Sequence, residues 1–157
     1  MTIQIFNLGN GDTLLVGNSG TGKSHHVANL INGADSQVLQ IVVAAQQDFA
    51  YQRQFTKIKM AEFTGFLNNG NQLLLTDGYD FYDKPGISLV PHLEKLSTQL
   101  VQKDKAAMVY LDDCPLILQQ EVIAYLCKQK LANINIVITC QFLADLPGVE
   151  QLIVISK

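Results

Sequence analysis

The chain has 157 residues, 48% of them hydrophobic and 16% charged, which is enough apolar material for a single domain over 1–157 and too few charges for a disordered chain. Eleven Lys and Arg against fourteen Asp and Glu leave a net charge of -3, so the broad basic surplus that holds many proteins on nucleic acid is missing, and a nucleic-acid contact would need a local patch. Arg53 is the only arginine, which excludes clusters of guanidinium groups gripping phosphates within one chain. No apolar run reaches the roughly eighteen residues of a membrane span, and the start MTIQIFNLGNGD lacks the order of a signal peptide, so a soluble, cytoplasmic chain is expected. Cys114, Cys127 and Cys140 are odd in number and far apart, fit neither a disulfide framework nor a zinc knuckle, and read as small buried hydrophobes.

TIQIF, the turn-forming stretch from Asn7 to Asp12 and then TLLVG predict a hairpin whose second strand runs directly into GNSGTGKS. SHHVANLI has helical spacing and stops at Asn32-Gly33, and VLQIVVA (38–44) is a β-branched run suited to a strand buried on both faces. Residues 48–69 are expected to form an amphipathic helix with Phe49, Phe55, Phe63 and Phe66 turned inward, ended by Asn68 to Asn71. QLLLT is a further short strand, and 77–86 (DGYDFYDKPG) is a loop, either solvated or with a tip that touches a partner. A helix over 91–104, the strand AAMVYLDD, a helix over 115–131, the strand INIVIT, a helical turn over 141–146 and the strand LIVIS complete the chain. Strands alternating with helices predict an α/β domain with a mostly parallel sheet and helices on both faces.

Residues 17–24 match G-x-x-x-x-G-K-[ST] at every fixed position. Glycines let the backbone curl so that amide N–H groups surround a phosphate, and the following helix brings its positive end to the same place. Gly17, Asn18, Ser19, Gly20, Thr21, Gly22, Lys23 and Ser24, with the adjoining His25, are therefore assigned to nucleotide binding. Lys23 offers a point charge to the outer phosphates and the Ser24 hydroxyl a ligand to magnesium. The alternative is a glycine-rich turn without function. The strand before the motif and the helix after it are what the phosphate mechanism requires.

Magnesium also needs a carboxylate at the end of a neighbouring buried strand, and Asp112 in AAMVYLDD supplies one. Asp113 follows and is assigned to orient or deprotonate an attacking water; a pair of acids capping the helix near Pro115 is the plainer alternative. Asp77, after QLLLT, is a rival for the metal but has no second acid beside it. Gln141 follows INIVITC at a strand end, where a neutral amide can bond both a γ-phosphate oxygen and the attacking water. The chain holds no N-K-x-D element for guanine, no L-S-G-G-Q element and no arginine-rich lid, so ATP hydrolysis is favoured over guanine recognition or phosphoryl transfer to a small molecule.

With these residues the chain resembles the additional-strand P-loop ATPases, and within them the FtsK/HerA superfamily of DNA-translocating, conjugation and viral genome-packaging ATPases. The resemblance covers nearly the whole chain, from NGDTLLVGNSGTGKS through VYLDD to ITCQ and LIVIS. It implies an oligomer, a ring among the options, acting on nucleic acid or with a protein partner in a cell or host cytoplasm. It also implies that the Gln141 strand lies between the phosphate-loop strand and the Asp112 strand. An arginine supplied between subunits would have to be Arg53; a solvent-facing arginine on a helix is the plainer reading. The competing class is an ATP-dependent binding or assembly module that does not hydrolyse.

Overall fold

The computed structural model describes residues 3–18, 22–35, 37–44, 55–58, 73–77, 88–112 and 114–154. They form strands β1 (Gln4–Gly9) and β2 (Asp12–Val16), helix α1 (Lys23–Asn32), strands β3 (Leu39–Ala44), β4 (Phe55–Ile58) and β5 (Leu73–Asp77), helix α2 (Val90–Gln102), strand β6 (Ala107–Asp112), helix α3 (Leu116–Leu126) and strand β7 (Ile134–Cys140). Two short 3₁₀ turns follow at Leu143–Asp145 and Val149–Gln151. The strands make one sheet in the order β1-β2-β7-β6-β3-β5-β4. β1 and β2 pair antiparallel and every other neighbouring pair is parallel. The chain is thus α/β with a mostly parallel sheet, and β7 lies between β2 and β6 as expected.

The β1–β2 connection is tighter than the Asn7 to Asp12 stretch suggested. Gly9 pairs with Asp12, leaving Asn10 and Gly11 as a two-residue turn, both at positive φ (57° and 87°). Two left-handed residues give a turn whose twist matches that of the strands, and Asn-Gly is the pair that adopts it at least cost. A side chain at Gly11 would also strike Asn135, its Cβ falling 2.9 Å from the amide oxygen.

Alternation along the central strands divides the core between two faces. Leu15, Val42, Tyr110 and Val137 face α1 and pack on Val27, Ala28 and Ile31. Leu14, Ile41, Val109, Leu111, Ile136 and Ile138 belong to the opposite face, which α2 and α3 cover with Leu93, Leu96, Leu100, Leu118, Val122 and Ile123. The spacing of Leu93, Leu96 and Leu100 makes one stripe on α2, and each buried leucine contributes about 1.5–3 kcal/mol. α2 begins without a side-chain cap of its own. Glu121 of α3 stands in, accepting the Val90 N–H and the Ser88 hydroxyl, so the two helices share an end-to-side contact.

Four expectations need correction. Within the helix expected over 48–69, residues 55–58 are strand β4, since Phe-Thr-Lys-Ile carries aromatic and β-branched residues that suit an edge strand pairing with β5; 48–54 and 59–69 lie outside the described residues. Phe49, Phe63, Phe66 and Arg53 lie outside the described residues, as does the loop from 78 to 86. α3 ends at Leu126 and not at 131, because residues 127–130 are exposed and have no apolar face to bury. Cys127 is exposed at that helix end, unlike the buried Cys114 and Cys140. The last segment is not a strand over 152–154, although the Val154 N–H donates to Asn7 O of β1 at 2.8 Å; residues 155–157 lie outside the described residues.

Candidate functional site

Parallel strands deliver their carboxyl ends to one edge of the sheet, and that edge is where the predicted residues gather. β2 ends at Val16, and the Gly17 N–H donates to Cys140 O at 3.0 Å, so the first residue of the glycine motif is pinned to the end of β7. Ser19, Gly20, Thr21 and Asp113 lie outside the described residues. The loop re-enters at Gly22, whose φ of 89° places it in the left-handed region, and a Cβ there would meet nothing within 4 Å. Glycine is required at this point by conformation and not by space. The Gly22 carbonyl accepts from His26 N–H at 2.9 Å and closes the first turn of α1.

The start of α1 differs from those of α2 and α3 in its run of basic residues. It has no side-chain cap and no acid in its first turn, and the residues there are Lys23, Ser24, His25 and His26. Basic groups at the positive end of a helix are unfavourable unless an anion shares the position. Lys23 folds back over the loop, its ammonium bonding Gly17 O and, at 3.4 Å, Asn18 O. His25 is exposed on the first turn.

Ser24 Oγ donates to Asp112 Oδ1 at 3.2 Å. Asp112 is only 3% exposed at the end of β6, and Thr139 Oγ1 reaches the same oxygen at 3.3 Å from the adjacent strand β7. Two hydroxyls on one buried carboxylate oxygen fix its direction toward α1. One hydroxyl and one carboxylate do not make a metal site alone, and no group of three His, Cys, Asp or Glu occurs among the described residues. The donor set fits a cation that keeps waters and takes further oxygens from a phosphate, which is how magnesium is commonly held.

Strand order also separates Asp112 from Asp77 relative to the glycine motif. Asp112 stands on β6, two strands from β2, whereas Asp77 stands on β5, four strands away, or about 10 Å against about 19 Å at the usual spacing. Gln141 is exposed directly after β7, between the ends of β2 and β6. Cys140 beside it is buried, and burial, reinforced by Asp145 and opposed by Lys23, pushes its thiol up to about 11, away from the thiolate.

Two contributors escaped the sequence reading. Thr139 was part of an apolar run, and its one signal was a hydroxyl near the end of a strand otherwise made of Ile and Val. Gln119 of α3 is buried and donates to Thr139 O at 2.7 Å, bracing the end of β7 from the opposite face. Comparisons with protein families, with curated proteins and with solved structures find no match to this chain. No helix among the described residues is long and apolar enough to cross a membrane.

Proposed function

We propose that this chain is a magnesium-dependent ATPase of the P-loop type whose turnover drives translocation or packaging of a nucleic acid. The observation that carries the reading is the hydrogen bond from Ser24 to Asp112, which joins the glycine motif to the acidic strand across 88 residues of sequence. Ser24 and Asp112 would hold magnesium, which supplies charge neutralisation on the phosphates when bound. Lys23 would exchange the loop carbonyls for phosphate oxygens, a stronger, charge-assisted contact. Asp113 is assigned to orient or deprotonate the attacking water, and Gln141 to bond that water and a γ-phosphate oxygen.

The placement of β7 between β2 and β6 supports the additional-strand class. Support for a homo-oligomer comes from exposed apolar residues, Leu116 and Ile117 in the first turn of α3, the latter at 75% exposure, and Phe142 two residues after β7. Covering them with a second copy would bring that copy beside the nucleotide. A nucleic-acid or protein partner, and a cytoplasmic setting, belong to the same reading.

ATP affinity and steady-state phosphate release test it together. Lys23→Ala is expected to weaken ATP binding by roughly ten-fold or more, a loss of about 1.5–3 kcal/mol. Asp113→Asn is expected to retain ATP and reduce turnover. A folded Lys23→Ala variant that binds ATP as the wild type does would refute the site. A wild type that binds ATP with magnesium and releases no phosphate is the binding or assembly module instead.

A further inference from the structure

The α1 face of the sheet carries a cavity at the end away from the glycine motif. α1 has ten residues, about 15 Å of helix, and ends at Gly33, while the strands beneath it run for about 20 Å. Its buried residues Val27, Ala28 and Ile31 pack on Leu15 and on Val42, Tyr110 and Val137, which are in register across β3, β6 and β7. The next row, Gln40, Met108 and Asn135, is in register across β3, β6 and β7 and lies beyond the last turn. A pocket of about 330 Å³ opens at that point, with Thr13 at its β2 edge and Leu30, Ala34 and Asp35 forming the opposite wall. Every strand residue lining it comes from the amino-terminal part or the middle of its strand, so it is separate from the edge that holds Gly17 and Asp112.

We infer that this pocket binds a small neutral or cationic molecule with an apolar body and one hydrogen-bonding edge. The volume lies within the range of about 300–1,000 Å³ usual for small-ligand sites, and a mainly apolar lining with few polar groups is the usual composition. The polar groups converge on its floor. Tyr110 O–H donates to Gln40 Oε1 at 2.6 Å, and Gln40 Nε2 donates to Val38 O at 3.3 Å. Those bonds fix the Gln40 carboxamide as a closed floor, 1% exposed, so the hydrogen-bonding edge open to a ligand comes from its neighbours. Asn135 adds an amide and Thr13 a hydroxyl. Charge selects the class: Asp35 stands on the wall, and no described lining residue is Lys, Arg or His. An anion would meet one carboxylate and no cation, whereas an amine would gain that carboxylate. The inference does not rest on the nucleotide reading.

Indole, tryptamine and indole-3-acetate serve as neutral, cationic and anionic probes of one shape, titrated into the full chain with amide and methyl NMR spectra as the readout. Indole and tryptamine are expected to shift the side-chain amides of Gln40 and Asn135 and the Met108 methyl, with tryptamine the tighter. Indole-3-acetate is expected to bind at least about ten-fold more weakly. Ala34→Leu puts a larger side chain into the cavity and should abolish the shifts; Ala106→Phe does so from the β6 side should the first variant lose its fold. Asp35→Asn should erase the advantage of tryptamine over indole. The inference fails if no probe shifts these groups up to about 5 mM, if the shifts survive in a folded cavity-filling variant, or if the acetate binds as well as the amine.

Discussion

The two ends of the α1 face use the same strands and the same helix for opposite purposes. On β6, Tyr110 and Asp112 are two residues apart and share a face, yet one belongs to a neutral network and the other to a charged one. At the amino end, a phenol and a carboxamide satisfy each other, and no ion is needed to complete the pair. At the carboxyl end, two hydroxyls aim at one carboxylate while an ammonium sits over the loop carbonyls, so in these contacts each charged group is held by neutral partners. Polar residues within an apolar strand therefore carry little meaning by type alone. What separates a structural pair from a reactive one is whether donors and acceptors balance within the protein.

The sharpest way to break the contrast is to neutralise one residue of each kind. Asp112→Asn keeps an oxygen for Ser24 and Thr139 but loses the charge, and it is expected to lower phosphate release by about 100-fold or more, since metal-based charge stabilisation supplies several kcal/mol. Tyr110→Phe leaves the buried Gln40 oxygen without its donor and is expected to cost about 2 kcal/mol of stability while sparing turnover. Urea unfolding and phosphate release on both variants would show it. The contrast collapses if Tyr110→Phe abolishes turnover with its stability intact.

A smaller effect lies at the amino end of β2. Asp12 is buried, its Oδ1 accepts the Ile136 N–H at 2.9 Å, and it thereby ties β2 to β7. Burial pushes its carboxyl up to about 6, against the lowering influence of that N–H and of Lys130. The folded state holds the proton more tightly than the unfolded chain, so stability is greatest below the unfolded value of 3.8 and falls as pH rises through 6. After solvent screening the loss is on the order of 1–2 kcal/mol. Asp12→Asn retains an acceptor for Ile136 and should be more stable than the wild type at pH 7, with the difference vanishing near pH 4. An equal pH slope in both proteins would show that Asp12 does not titrate in this window.

Much of this arrangement was legible in the sequence for identifiable reasons. Apolar runs marked β3, β6 and β7, rich in Ile and Val in β3 and β7, and glycine at fixed spacing marked the loop, since both are local consequences of backbone sterics. The position of Asp112 followed from its strand end. β4 was hidden because Phe55 and Ile58 satisfy helical spacing as well as strand propensity, and only pairing with β5 decides between them. Thr139 was hidden for a related reason: its role depends on which strand lies beside it, and adjacency is set by topology and not by local pattern.

Thr139 therefore gives the finest test. Thr139→Val preserves shape and β-branching and removes one hydroxyl, so β7 should keep its place between β2 and β6. Asp112 would retain the donor on Ser24 and lose the one at 3.3 Å. A single hydrogen bond to a charged group contributes about 1.5–3 kcal/mol at most, and the remaining donor and any bound cation offset part of that. The expected outcome is a rise of about five-fold in the magnesium concentration needed for half-maximal ATP binding, or ~1 kcal/mol. ATP binding without magnesium, which depends on Lys23 and the loop, should stay as it is. Were both to weaken equally, Thr139 would be holding the loop in shape through β7 and not directing Asp112 toward a metal.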